Sequence, residues 1–249
     1  MTALHGPDGA IGTPSVPDTL LRPSPARRAG YYVVRHAFPT GAAHSRPLRR
    51  ALLRRTLKLL WTTLETTPMA GKLWIMGGVA IGYARDGRPL ARDDDVDLGY
   101  SDEDHDAFVA TVPLLAARGF VPTARLVSNA GALTEMQVRR DGVWIDFLRC
   151  FRRADREYWV TYLTDHRSTS APRKVEVETE VRFQPKVPTV PPLCGTAWSR
   201  AEDLTSYLDE QYGLAWRAPE RVFYARRWEH VRDSPAVVRV EPWQGEWGW

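Results

Sequence analysis

The chain has little cysteine, little lysine and no long apolar run. Only Cys150 and Cys194 occur in 249 residues, too few for a disulfide framework and without zinc-ligand spacing. No apolar stretch approaches the roughly 20 residues that a membrane-spanning helix needs. The N-terminal "MTALHGPDGAIGTP" lacks a basic segment followed by an apolar one, so no secretory signal is read there. A soluble, cytoplasmic protein is the expectation. Lysine appears only at Lys58, Lys72, Lys174 and Lys186, so nearly all of the positive charge is arginine. With a net charge of +4, the balance suits anionic ligands but is too mild to call for nucleic acid.

What is present is enough for a core: 43% apolar residues and ten tryptophans. Residues 1 to about 44 are rich in Pro, Gly, Ala and Ser, with one apolar patch, "YYVVRHAF", and read as a mostly irregular arm. From Ser45 the pattern becomes helical, with Leu53, Leu57, Leu60 and Leu64 on one stripe that ends before Pro68. "KLWIM" and "VDLGY" read as short strands, with Gly77-Gly78 and a short helix through Arg85 between them. Ser101 with Asp104, and Ser199 with Glu202, have the form of capping boxes that open helices closed by Gly119 and Gly213. "ALTEMQVRR" and "VWIDFLRCF" flank Asp141-Gly142, a strong hairpin signal. "EYWVTYLT" and "KVEVETEVRF" add further strands. The class is α+β, with a mixed sheet.

The chemistry concentrates in "DDDVDLG", where crowded carboxylates need water or a cation to compensate them. Residues two apart on a strand share a side, so Asp95 and Asp97 converge while Val96 and Leu98 face the core. Two such carboxylates can share a hard cation such as Mg²⁺ or Mn²⁺, leaving other positions for water or phosphate oxygens. Asp146, between Ile145 and Phe147, is a third acid in an apolar strand, costly to bury alone. If its strand lies beside that of Asp95, the three acids meet. Arg149 is three residues along and should point to the opposite side. Gly77-Gly78, after a strand and before a helix, can bring backbone N–H groups close to a phosphate. Arg85, ending that helix, can pair with Asp86 or Asp93, or present its fork to phosphate.

These motifs resemble the nucleotidyltransferase superfamily, and within it the LicD/fukutin family. The family pattern of a small apolar helix, Gly-x-x-Arg, a loop and Asp-Asp-Asp-(Ile/Val)-Asp before an apolar residue and glycine is matched by Gly82, Arg85, Asp93, Asp94, Asp95, Val96, Asp97 and Gly99. "WIDFL" resembles the later Ile-Asp strand, and "YLDEQYGLAWRAP" the C-terminal signature. The loop before the acids departs from the family, with Arg92 where an aromatic usually stands.

The resemblance implies a nucleotidyltransferase-like core of a small mixed sheet with flanking helices, plus a C-terminal helical segment. It divides the chain into an arm at 1–44, a catalytic domain at 45–219 and an extension at 220–249 packing on that domain. It implies Asp95, Asp97 and Asp146 as catalytic metal ligands, and Gly77, Gly78 and Arg85 on the donor side. The implied reaction moves a phosphocholine- or phosphoribitol-like group from a CDP-linked donor to a sugar hydroxyl. The superfamily alternative moves a nucleotide from NTP to a small molecule such as an aminoglycoside, and a silent ligand-binding member of the fold is the third reading.

Overall fold

The computed structural model describes residues 45–90, 93, 95–128, 131–165, 173–218, 231–233 and 238–242. The "YYVVRHAF" patch, the rest of the N-terminal arm and Arg92 lie outside the described residues.

Helix α1 (Ser45–Leu64) forms where the leucine stripe predicts it, and Leu53, Leu57, Leu60 and Leu64 are all buried. Near its end, Thr62 and Thr63 turn their hydroxyls back to donate to the carbonyl of Leu59, at 3.0 and 2.8 Å. Strand β1 (Trp74–Ile75) follows and leads into α2 (Gly77–Asp86), which Gly87 ends in the left-handed conformation. Strand β2 (Asp95–Ser101) then runs through the acidic motif.

The first expected capping box resolves differently. Ser101 caps a single 3₁₀ turn, Asp102–Asp104, accepting from the Glu103 N–H at 3.3 Å, and α3 (His105–Ala117) starts after it. Three acidic residues in that turn suit a helix start whatever its exact pitch.

Strands β3 (Val121–Ser128), β4 (Leu133–Arg140), β5 (Val143–Arg153), β6 (Arg156–Asp165) and β7 (Arg173–Arg182) follow as a meander of antiparallel pairs. The Asp141-Gly142 turn joins β4 to β5 with both residues at positive φ, 49° and 86°. Short strands β8 (Lys186–Pro188) and β9 (Ser199–Ala201) precede α4 (Leu204–Tyr212). The second expected capping box is therefore overturned. Ser199 lies in a strand paired with β8, and Asp203 caps α4 instead, accepting from the Ser206 N–H at 3.0 Å. A carboxylate one residue before the helix outcompetes a serine held in the sheet. Gly213 then ends α4 at φ 65° and opens a 3₁₀ turn through Arg217.

All eleven described strands, including β10 (Val231–Asp233) and β11 (Val238–Pro242), join one branched sheet. The α+β class with a mixed sheet and flanking helices holds, although the sheet is larger than expected. Strand β5 is its hub. It pairs with β2 in parallel and with β4 antiparallel, and its last residues pass to β6. One face of this hub is apolar. Val96, Leu98 and Tyr100 of β2, with Ile145 and Phe147 of β5, are buried. Phe108 of α3 stacks on Tyr100 at 4.4 Å and meets Phe147 at 5.2 Å. Each such side chain contributes about 1.5–3 kcal/mol on burial, so this face anchors the strands. Arg149 faces this side too. It binds Asp102 at 2.7 and 2.6 Å and tethers β5 to the turn after β2. The other face carries the polar residues.

Candidate metal centre

Register builds the polar face. Asp97 on β2 lies opposite Asp146 on β5, and Asp146 lies opposite Gln137 on β4. One step of two residues along, Asp95 lies opposite Trp144, and Trp144 opposite Arg139. Because side chains alternate, all of these share one face. Ligand atoms of Asp95, Asp97 and Asp146 lie within 4.8 Å of one another, and each residue is half-buried. At an effective dielectric of about 20, each ionised pair at that spacing repels by roughly 3 kcal/mol.

Burial raises the pKa of Asp97 well above the ordinary value, and the charges of Asp95 and Glu135 push it further. A hydrogen bond from the Gly78 N–H pulls in the opposite direction. Asp146 is raised by burial too, then by Glu135, Asp97 and Asp95. Its Oδ1 is fully enclosed and has no hydrogen-bond partner. Three convergent carboxylates with an enclosed, unsatisfied oxygen fit a divalent cation, and an all-oxygen donor set selects a hard one. A cleft of about 270 Å³, lined by Asp95, Gln137, Trp144 and Asp146, opens beside them.

The glycine pair reaches the same place by close packing. A Cβ on Gly77 would lie 1.8 Å from Oδ2 of Asp97, and Gly77 holds φ 52°. A Cβ on Gly78 would lie 2.1 Å from Oδ2 of Asp93. Two glycines are thus required for the start of α2 to sit on the acidic strand and its approach. The visible partners of this turn are carboxylates, with the helix N-terminus favouring their charge. Arg85 is not brought to the acids. It lies at the far end of α2, about 12 Å along the axis from Gly77, and its Nη1 donates to the carbonyl of Trp216 at 3.4 Å.

The structure adds residues that the motifs did not single out. Glu135 is 3% exposed, accepts from Gln137 Nε2 at 2.9 Å and bears on both Asp97 and Asp146. A signal for it was available: a two-residue Asp141-Gly142 turn pairs Arg140 with Val143, and counting outward puts Gln137 opposite Asp146. Glu135 then falls on the same face.

Residues 71–180 match the LicD/FKTN/FKRP nucleotidyltransferase domain. Over this segment, which is less than half of the chain, the sequence is similar to the LicD family. The segment contains the glycine turn, all three carboxylates and Glu135, so the first two resembling motifs fall within it. The third, "YLDEQYGLAWRAP", lies beyond it. No curated protein matches the chain. A LicD domain points to phosphotransferase-type chemistry, and here its acidic triad is a set that can hold a metal ion. No helix among the described residues is long and apolar enough to cross a membrane.

Proposed function

We propose that the protein is a metal-dependent phosphotransferase that moves a phospho-substituent from a CDP-linked donor to a hydroxyl acceptor such as a sugar. The observation that carries this reading is the triad itself: Asp95, Asp97 and Asp146 converge within 4.8 Å beside a cleft, with one Asp146 oxygen enclosed and unsatisfied. Asp95, Asp97 and Asp146 would hold Mg²⁺ or Mn²⁺. When bound, that cation neutralises donor phosphate charge and polarises phosphorus.

The chain's own groups supply the rest. Asp97 is held from behind by the Gly78 N–H, which fixes its orientation. The glycine turn gives the donor diphosphate a side without Cβ atoms to approach. Asp146 lines the open cleft with Gln137, where the acceptor hydroxyl enters. There Asp146 accepts the hydroxyl proton as the new O–P bond forms, and the nucleoside monophosphate leaves from the opposite side of phosphorus.

A donor screen tests the reading. Release of CMP from a CDP-linked alcohol, dependent on Mg²⁺ and lost in Asp146→Asn, supports it. Release of pyrophosphate from NTP would replace it with nucleotidyl transfer, and metal binding with no turnover of either donor class would favour a silent binding protein.

A further inference from the structure

Trp144 stands on the wrong face of its strand for a residue of its size. Along β5, Val143, Ile145 and Phe147 are buried on the apolar face, whereas Trp144 and Asp146 alternate with them and are half-buried on the polar one. Tryptophan gains more from burial than most side chains, so an indole left beside carboxylates has surface that a ligand can cover. That surface lies in the cleft, whose lining is Trp144 with Asp95, Gln137 and Asp146.

The indole is set in place from both neighbouring strands. Asp95 is its register partner on β2 and Arg139 its partner on β4. The Arg139 guanidinium lies over the ring, 5.1 Å from its centroid, a cation–π contact that fixes the ring's position. Gln137, one step along β4, is oriented as well. Its Nε2 donates to Glu135 Oε1 at 2.9 Å, and a carboxylate only accepts, so the nitrogen end of the amide turns toward Glu135. The carbonyl oxygen is then the end left for a ligand. One flat apolar surface therefore stands beside three acceptor groups, those of Gln137, Asp95 and Asp146.

We propose that Trp144 is the platform for the acceptor, its indole stacking on the C–H face of a sugar ring whose hydroxyls donate to Gln137 and to the carboxylates of the cleft. The inference rests on the phosphotransferase reading and assigns the residue that seats its acceptor. Size and polarity favour a sugar over the donor's base. The cleft, about 270 Å³, is smaller than the roughly 300–1,000 Å³ of pockets that enclose a drug-sized ligand, so it takes one ring and not a whole nucleotide. Sugar hydroxyls supply the donors that acceptor groups need. A stacked cytosine would turn its own acceptors, O2 and N3, toward them unpaired. Stacking also selects a closed ring over an open-chain polyol, which has no flat face to lay on the indole.

The test is saturation-transfer NMR on the full chain with Mg²⁺, for wild type, Trp144→Phe and Trp144→Leu. Methyl glycosides of glucose, galactose and N-acetylglucosamine are the ring probes and ribitol is the open-chain probe, with calorimetry of Mn²⁺ and of CDP alongside. At least one glycoside should bind wild type, and bind better than ribitol. Trp144→Leu should weaken that binding at least about tenfold, as truncation of an aromatic anchor does, and Trp144→Phe should restore part of it. Mn²⁺ and CDP affinities should stay at the wild-type level in both variants. Absence of saturation transfer to every glycoside in wild type, or equal binding in Trp144→Leu, overturns the platform. So does a Trp144→Leu variant that loses Mn²⁺ binding, which means a disturbed sheet, or one that loses CDP binding alone, which puts the indole under the donor base. Glycoside binding that depends on Trp144, in a protein that turns over no CDP-linked alcohol, supports the platform and overturns the phosphotransferase reading instead.

Discussion

Asp97 and Asp146 are direct register partners across the parallel β2–β5 pair, although 48 residues of helix and hairpin separate them in the chain. Carboxylates facing each other in this way destabilise the sheet that carries them unless a cation or a proton intervenes. This conflict between fold and charge motivates the predictions that follow.

Replacing any one carboxylate of the triad should cost activity and not fold. Asp95→Asn, Asp97→Asn and Asp146→Asn each should lower kcat by at least about 100-fold, the equivalent of a few kcal/mol of lost transition-state stabilisation. In metal-free protein the same variants should melt at or above the wild-type temperature, because each removes one repelling charge. Steady-state kinetics and melts on the same preparations check both halves.

The pH dependence of stability follows with its sign. Folded-state pKa values of Asp97 and Asp146 are raised above the ordinary 3.8, so the folded protein binds more protons than the unfolded one above that pH. Metal-free protein should therefore lose stability as pH rises from about 4 through the raised folded values. Saturating Mg²⁺ should flatten or reverse this slope by favouring the ionised forms. Denaturant melts at a series of pH values, with EDTA and with Mg²⁺, measure it.

Gly77→Ala should damage the site more than the fold. The new Cβ would overlap the Asp97 carboxylate, and φ 52° adds strain of about 1 kcal/mol or somewhat more. Displacing Asp97 should cut Mn²⁺ affinity at least about tenfold. Gly87→Ala is the control, since its φ is also positive, 63°, and no atom lies near a Cβ there. It should share the strain and keep the affinity.

Arg149→Met separates the two faces of the sheet. Arg149 binds Asp102 on the face away from the triad, so its loss should cost about 1–3 kcal/mol of stability. Mn²⁺ affinity should stay near wild type. A large affinity loss would mean that the two faces are not independent.

Local signals carried much of this architecture. The leucine stripe of α1, the alternation in β2 and the Asp141-Gly142 turn are short-range patterns, and each formed the element expected. Once β5 pairs with β2, alternation alone brings Asp146 to Asp95 and Asp97. Two kinds of feature were not legible. Helix starts depended on competition between neighbours, so Asp203 replaced Ser199 as the cap. Contacts between distant elements, such as Arg85 with Trp216, have no local signature.

The most direct test is a Mn²⁺ soak of crystals at a wavelength that gives anomalous signal for manganese. The account predicts a peak bonded to oxygens of Asp95, Asp97 and Asp146 at about 2.0–2.3 Å, beside the Gly77-Gly78 turn. A map with no peak there at saturating Mn²⁺, or an Asp146 carboxylate turned out of reach of the other two, would contradict it.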